Sequence, residues 1–140
     1  MNDSRPLVLF ICVKNGGKSQ MAAALARRVS AEDWEVASAG TRPGASLNSE
    51  SVEALTEVGA TVEGEHPKLI DEALLQRAAR VVVLGQEAQV REVDGMVGSI
   101  ETWEIDEPSE RGITGMERMR LVRDDIARRV DRLHQELCSP

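Results

Sequence analysis

A cysteine followed by a loop rich in glycine and lysine is the stretch of this sequence best suited to chemistry. The apolar run from Leu7 to Ile11 ends at Cys12, the loop follows, and an alanine-rich stretch of helical character begins directly after it. Consecutive backbone N–H groups in such a loop, with the positive end of a helix dipole behind them, form a concave site for a tetrahedral oxyanion. We therefore expect seven consecutive residues to bind an oxyanion: Val13, Lys14, Asn15, Gly16, Gly17, Lys18 and Ser19.

The surroundings of Cys12 favour a thiolate. Cysteine pKa values fall from ~8.5 to roughly 3.5–7.5 at helix N-termini and near lysines, and a fall of about three units corresponds to roughly 4 kcal/mol in favour of the charged form. Lys18 supplies positive charge, and the Ser19 hydroxyl can donate a hydrogen bond to the sulfur. A lone cysteine at a strand end is more often a small buried side chain. Because of this loop, we interpret Cys12 as a nucleophile with Lys18 and Ser19 as its catalytic partners.

The same loop permits a second interpretation. Residues 17–19, Gly-Lys-Ser, match the end of the nucleotide-binding P-loop, Gly-x-x-x-x-Gly-Lys-Ser/Thr, with Cys12 in the position of the first glycine. The apolar run 81–84 is followed by Gly-Gln-Glu, without an aspartate at its tip for a magnesium-bound nucleotide. A P-loop-like module that binds a nucleotide or oxyanion without chemistry therefore ranks below a cysteine enzyme.

Composition bounds the remaining functions. A chain of 140 residues with 41% hydrophobic and 29% charged residues suits one globular domain with a full core, so residues 1–140 are taken as a single domain. The net charge of −7 argues against a nucleic-acid or membrane surface. The first apolar run is too short for a signal or membrane-spanning segment, which predicts a cytoplasmic protein. Two cysteines without a Cys-x-x-Cys pair predict no metal site, and His66 and His134 are expected to be ordinary surface residues.

Hydrophobic patterns predict alternating strands and helices. Strands are expected at 7–12, 34–38, 80–84 and 100–105, with a short strand at 61–62; helices are expected directly after the cysteine loop and at 48–58, 69–77 and 116–137. The last helix carries a continuous apolar stripe, formed by Met116, Met119, Val122, Ile126, Val130, Leu133 and Leu137. Strands separated by helices of crossover length favour an α/β fold: one domain with a four-stranded parallel sheet and helices on both faces.

Three landmarks, in order along the chain, carry a family resemblance. They are the pattern Cys12-x5-Lys18-Ser19, the segment Ser38-Ala39-Gly40-Thr41, and the tripeptide Asp106-Glu107-Pro108. Together they resemble the low-molecular-weight protein tyrosine phosphatase family, whose loop reads Cys-x5-Arg-Ser/Thr, and more closely its arsenate reductase branch. Asn15 matches an asparagine that both groups carry in the loop. The resemblance implies the family's fold and a general acid directly before the proline, which here is Glu107, with Asp106 one residue earlier as the alternative.

Two departures from the phosphatase pattern indicate the substrate. Lys18 replaces an arginine whose planar fork grips two oxygens of a phosphoryl group, and lysine offers only a point charge. The chain also has no tyrosine and one phenylalanine, and residues 109–111 are Ser-Glu-Arg where the phosphatases place aromatic residues. These features favour arsenate over a phosphoprotein; a low-molecular-weight phosphatase acting on a small phosphomonoester is the first alternative.

The resemblance also implies how the reaction is completed. Thioredoxin-coupled members use two further cysteines near the end of the third strand and in the helix after it, and residues 81–96 contain none here. Cys138, near the C-terminus, is interpreted as a terminal residue without a role; the alternative is a second redox thiol, which requires the tail to fold back over the loop. The sequence is most similar to the actinobacterial mycothiol-dependent arsenate reductases. This similarity implies mycothiol as an external co-substrate, a mycoredoxin or glutaredoxin-like protein downstream and no bound cofactor. Lys14, Arg42 and Lys68 are candidates to line the thiol's entrance.

Overall fold

Four parallel strands form the sheet, in the order β2-β1-β3-β4. The computed structural model describes residues 4–138. The strands are β1 (Leu7–Cys12), β2 (Glu35–Gly40), β3 (Arg80–Leu84) and β4 (Ser99–Trp103). The helices are α1 (Lys18–Val29), α2 (Ser49–Glu57), α3 (Glu72–Arg77) and α4 (Gly115–Cys138), with a short 3-10 helix at Pro108–Arg111.

The central strand β1 is buried on both faces, which explains its unbroken apolar sequence. Its alternate side chains enter two separate cores. Val8, Phe10 and Cys12 pack on the side that carries α1, α2 and α4. The residues between them, such as Leu9, pack on the side that carries α3. Helices therefore cover both faces of a single parallel sheet, and the predicted fold class is confirmed.

The strand order fixes where a ligand can bind. β1 pairs with β2 on one side and with β3 on the other, so the connections that leave β1 and β3 diverge at the carboxyl end of the sheet. Such a switch point opens a crevice beyond the strand ends. Cys12 is the last residue of β1 and Leu84 the last of β3. Both lie at this crevice.

Two predicted segments are shortened or missing in the structure. The helix expected at 69–77 begins only at Glu72, because the Asp71 side chain accepts a hydrogen bond from the backbone N–H of Ala73 at 2.8 Å and caps it. Leu69 instead forms an isolated parallel bridge with Gly40 at the edge of the sheet. The short strand expected at 61–62 is wrong, since these residues have no strand partner among residues 4–138.

Helix α4 follows its predicted stripe closely. Met119, Val122, Ile126, Val130 and Leu133 are buried against the sheet and against α1 and α2, and the outer residues of the stripe pack beside them. Among the arginines of α4, Arg118, Arg120 and Arg123 pair with carboxylates of other elements, and Arg128 and Arg129 pair with Asp125 of α4 itself. Across residues 4–138, no helix has the length and apolar content needed to cross a bilayer.

Candidate active site

The loop between β1 and α1 is tied down through its carbonyl groups. The carbonyl oxygens of Cys12, Val13, Lys14 and Gly16 accept hydrogen bonds of 2.7–3.1 Å from backbone N–H groups of the segment 41–48. No hydrogen bond within residues 4–138 uses a backbone N–H of residues 14–19 as donor. The loop thus leaves its amides free at the N-terminus of α1, where an oxyanion is favoured.

Gly40 allows the loop to pack against the end of β2. A side chain at this position would place its Cβ 2.6 Å from the carbonyl oxygen of Val13 and 3.0 Å from the Cβ of Asn15. Because the obstacle includes backbone, such a contact would displace the loop. The close approach of the cysteine loop therefore explains why position 40, in the 38–41 segment, is a glycine.

Asn15 organises the loop from within. It is fully buried and has a φ of 53°, a left-handed conformation that asparagine tolerates better than most residues. The side-chain NH₂ group of Asn15 donates a hydrogen bond to the Ser19 hydroxyl at 2.7 Å. The side-chain oxygen of Asn15 accepts hydrogen bonds from the Gln20 side chain and from the backbone N–H of Lys68, both at 3.1 Å. The Ser19 hydroxyl is thereby held in place beside the cysteine.

The sulfur of Cys12 lies 2.9 Å from the Ser19 hydroxyl oxygen and faces a cavity of about 600 Å³. Cys12 is only 8% exposed, and that exposure is to this cavity. Walls come from the ends of all three neighbouring strands: Cys12, Val13, Lys14, Lys18, Thr41, Arg42, Leu84, Glu87 and Gln89. A nucleophile at the floor of an open cavity can reach a bound ligand.

Three cations in this cavity have no partner among residues 4–138. Arginines elsewhere are mostly neutralised, as Arg77 is by Glu35 and Arg120 by Glu57. By contrast, the side chains of Lys14, Lys18 and Arg42 make no ion pair or hydrogen bond to another residue in the described part of the chain. Unpaired positive charge in an acidic protein favours the binding of an anion there.

The two candidate acids lie outside this cavity. Arg118 forms two hydrogen bonds with Glu107, at 2.6 and 2.8 Å, and lowers the pKa of that carboxyl from 4.5 to about 2. Arg111 holds Asp106 in the same two-pronged way and lowers its pKa. Neither carboxyl lines the cavity that Cys12 faces in this conformation, and the role of the 106–107 turn as the general acid stays a prediction. Arg118 reaches a second cavity of about 630 Å³ on the far side of the loop, which Lys14 and Lys18 also line.

Lys68 and Cys138 lie away from the sulfur of Cys12. The Lys68 ammonium contacts Ser38, Glu65 and the carbonyl oxygen of His66 at 3.3–3.4 Å and does not line the cavity, while the backbone N–H of Lys68 supports the loop through Asn15. The Cys138 sulfur lies 3.8 Å from the carbonyl oxygen of Asp33, before the start of β2 and thus at the opposite end of the sheet from Cys12. Burial raises the pKa of the Cys138 thiol.

The two histidines differ in their surroundings. His66 is exposed, as expected. His134 is more than a surface residue, because its ring lies 2.9 Å from the carboxylate of Asp33 and packs edge-on against Trp34. Within residues 4–138, no cluster of three or more His, Cys, Asp and Glu side chains has the arrangement to hold a metal ion.

Comparison with known proteins agrees with the fold and the loop. Residues 7–139 match the family described as low molecular weight phosphotyrosine protein phosphatase, and the chain belongs to this family. A putative arsenate reductase of Halobacterium salinarum is 31% identical over 139 residues, which cover 96% of this chain and 94% of the relative. The arsenate reductase of Staphylococcus aureus strain bovine RF122 is 32% identical over 125 residues, covering 88% and 92%.

A solved structure shows the same architecture. The thioredoxin-dependent arsenate reductase of Corynebacterium glutamicum superimposes with a TM-score of 0.81 at 26% identity. The match covers 98% of this chain but only 64% of that longer chain. The family and the fold are therefore shown, and arsenate reductases are prominent among the similar proteins.

Proposed function

We propose that this protein is an arsenate reductase in which Cys12 attacks arsenate bound in the 13–19 loop. The observation that carries the proposal is the cavity itself. A sulfur with a hydroxyl 2.9 Å away faces backbone amides and three cations, none of which has a protein partner among residues 4–138. The two relatives described above are both named as arsenate reductases. The arrangement suits nucleophilic attack on a tetrahedral anion.

The first step joins sulfur to arsenic. The loop amides and Lys18 hold the arsenate oxygens, Ser19 donates its hydrogen bond to the ionised sulfur, and the Cys12 thiolate attacks arsenic. A sulfur–arsenic bond forms as an arsenic–oxygen bond breaks, and the departing oxygen leaves as water after accepting protons. Arsenic stays pentavalent in this step.

An external thiol then takes the arsenic. Its thiolate bonds to arsenic, the bond from arsenic to Cys12 breaks, and Cys12 leaves as a thiolate, again without oxidation or reduction. Reduction follows when a further thiol attacks the sulfur of the released adduct. A disulfide forms, the sulfur–arsenic bond breaks, and its electron pair stays on arsenic, which leaves as arsenite.

We propose mycothiol as the external thiol and a mycoredoxin or glutaredoxin-like protein as the reductant of the adduct. An internal relay has no support, because residues 81–96 contain no cysteine and Cys138 lies at the other end of the sheet. The Corynebacterium neighbour is named as thioredoxin-dependent, so a protein thiol is the competing reductant to test. A cytoplasmic location, where small thiols stay reduced, stays a prediction.

Arsenite should appear only when a thiol is added. The test incubates the protein with arsenate and, in separate reactions, mycothiol with a mycoredoxin, glutathione with a glutaredoxin, reduced thioredoxin or no thiol. Arsenite is quantified, and the mass of the intact protein reports arsenic or thiol adducts on Cys12. An adduct on Cys12 with thiol-dependent arsenite supports the proposal. Arylphosphate turnover without thiol would instead indicate a phosphatase, and tight anion binding without any turnover would indicate a binding module.

The proton for the departing oxygen is proposed to come from the turn after β4, from Glu107 or Asp106. Both carboxyls are held by arginines in the described conformation. The role therefore requires the turn to release one of them and move it toward Cys12. Glu107→Gln and Asp106→Asn distinguish the two, since the acid is the residue whose amide variant loses the basic limb of the pH–rate profile.

The ion pair between Arg118 and Glu107 also makes the free energy of unfolding depend on pH. The pKa of Glu107 is about 2 in the folded protein, below its ordinary value of 4.5. The contribution of its ion pair to the free energy of unfolding is therefore fully present above pH 4.5 and is lost as the pH falls toward 2. Arg118→Met should therefore cost about 1 kcal/mol at pH 7, as expected for a partly exposed ion pair, and much less at pH 3. Urea unfolding at both pH values measures this, with Arg132→Met as the control. Equal costs at the two pH values would rule out the linkage.

A further inference from the structure

The cavity in front of Cys12 has room for a second reactant. Its volume of about 600 Å³ falls within the range of small-molecule pockets, roughly 300–1,000 Å³. Arsenate, an anion of one arsenic and four oxygens, needs only the part of it that lies against the loop. The opposite side of the cavity is formed by the residues that follow β2 and β3. Four polar side chains stand there: Thr41, Arg42, Glu87 and Gln89.

Glu87 is the carboxylate among the residues that line this cavity, and it differs from three carboxylates elsewhere in the fold that arginines hold. Glu57, Asp106 and Glu107 are each neutralised by an arginine. Glu87 is exposed and makes no ion pair or hydrogen bond within residues 4–138, and Gln89 has no partner there either. A carboxylate and an amide that face a cavity without protein partners can bind the hydroxyl groups of a ligand.

The charges of the cavity restrict that ligand. Lys14, Lys18 and Arg42 provide three positive charges and Glu87 one negative charge. An ionised arsenate ester of Cys12 adds two negative charges, so the occupied cavity is close to neutral. The arsenate adduct and Glu87 together neutralise the three cations. A thiol that carries carboxylates would therefore place further negative charge near Glu87, and the like charges would repel each other.

We propose that Thr41, Glu87 and Gln89 form the subsite for the body of the co-substrate, and that this subsite accepts an uncharged, hydroxyl-rich thiol and rejects anionic thiols through Glu87. This inference rests on the proposed function, because it concerns the thiol of that reaction. It names Glu87 as a specificity-determining residue that takes no part in the attack on arsenic.

Charge reversal at Glu87 tests the subsite. Glu87→Lys is compared with Glu92→Lys, which makes the same change at an exposed residue outside the cavity. Arsenite formation is measured, with a mycoredoxin or glutaredoxin in excess so that thiol transfer limits the rate, using mycothiol (a sugar–inositol thiol without a carboxylate), glutathione, which carries carboxylates, and uncharged 2-mercaptoethanol. The ratio of kcat/KM for glutathione to that for mycothiol should rise about tenfold in Glu87→Lys at low ionic strength. The shift should shrink at high salt, and 2-mercaptoethanol should react within about twofold of the wild-type rate.

A second variant and the wild type separate the possible failures. Glu87→Gln should move the same ratio in the same direction but less, since it removes charge without reversing it. An unchanged ratio in both Glu87 variants, or an equal change in Glu92→Lys, overturns the subsite. If the wild type yields no arsenite with any thiol, the proposed function itself fails. If it yields arsenite while the ratio stays fixed, only the subsite is wrong.

Discussion

Cys12→Ser should reduce thiol-dependent arsenite formation by roughly 10⁴-fold or more, because the first two steps of the proposed chemistry, attack on arsenic and transfer to the external thiol, each pass through a bond to this sulfur. A serine hydroxyl is a far weaker nucleophile at neutral pH and a poor leaving group in the transfer to the external thiol. The loop should stay intact, since its bonds to the 41–48 segment use backbone groups that the substitution leaves in place. The measurement is steady-state arsenite production with mycothiol as co-substrate.

Cys138→Ser is the matched control for this prediction. It removes the second thiol of the chain at the opposite end of the sheet and should leave the rate within about twofold of wild type. Arsenate binding to Cys12→Ser, followed by calorimetry, should persist because the amides and Lys18 are still present. Retention of even one hundredth of the wild-type rate in Cys12→Ser would contradict the role of Cys12 as the nucleophile.

Lys18→Met should lower kcat/KM for arsenate by roughly 10²–10³-fold, as does the loss of one donor from a site that stabilises developing negative charge. Lys18 lines the cavity at the start of α1 and has no carboxylate partner in the described part of the chain, so its charge is available to the substrate. Arg132→Met, which removes an equal charge from an exposed position of α4, should have little effect.

Lys18→Arg examines the alternative phosphatase function. A guanidinium restores the two-pronged grip on phosphoryl oxygens that a lysine lacks. Arylphosphate hydrolysis should therefore rise by about tenfold or more over wild type, measured by phenol release without any thiol. Substantial hydrolysis by the wild type and no gain in Lys18→Arg would indicate that the protein already works as a phosphatase.

The local features of the site were predictable because their signals are contiguous. The apolar run, Cys12 and the glycine loop specify strand, loop and helix within about twenty residues, and the structure has all three in that order. The buried pattern of β3 and the stripe of α4 are equally local, and both are confirmed. Asn15 was placed in the loop by sequence, although only the structure shows its left-handed backbone and its three side-chain bonds.

The features that were missed depend on distant parts of the chain. Glu87 and Gln89 face Cys12 only because β3 lies beside β1, and no local pattern reports that order. Arg118 reaches Glu107 from the first turns of α4, so the sequence indicated an acid but not the cation that holds it ionised. The helix expected from Leu69 starts late because Leu69 pairs with the edge of the sheet at Gly40. Gln20 looked like an ordinary helical residue, yet it is buried against Asn15.

The 13–19 loop is proposed to recognise its anion mainly through backbone N–H groups, which limits how well it can distinguish one tetrahedral anion from another. Amide N–H groups read the shape and charge of a tetrahedral anion, and phosphate shares both with arsenate. Under the proposed function, phosphate would occupy the same loop and compete for it. Discrimination would then arise after occupancy, when arsenic accepts a bond from sulfur more readily than phosphorus does. In a phosphate-rich medium, the fraction of the protein that is not occupied by phosphate would limit the rate of arsenate reduction.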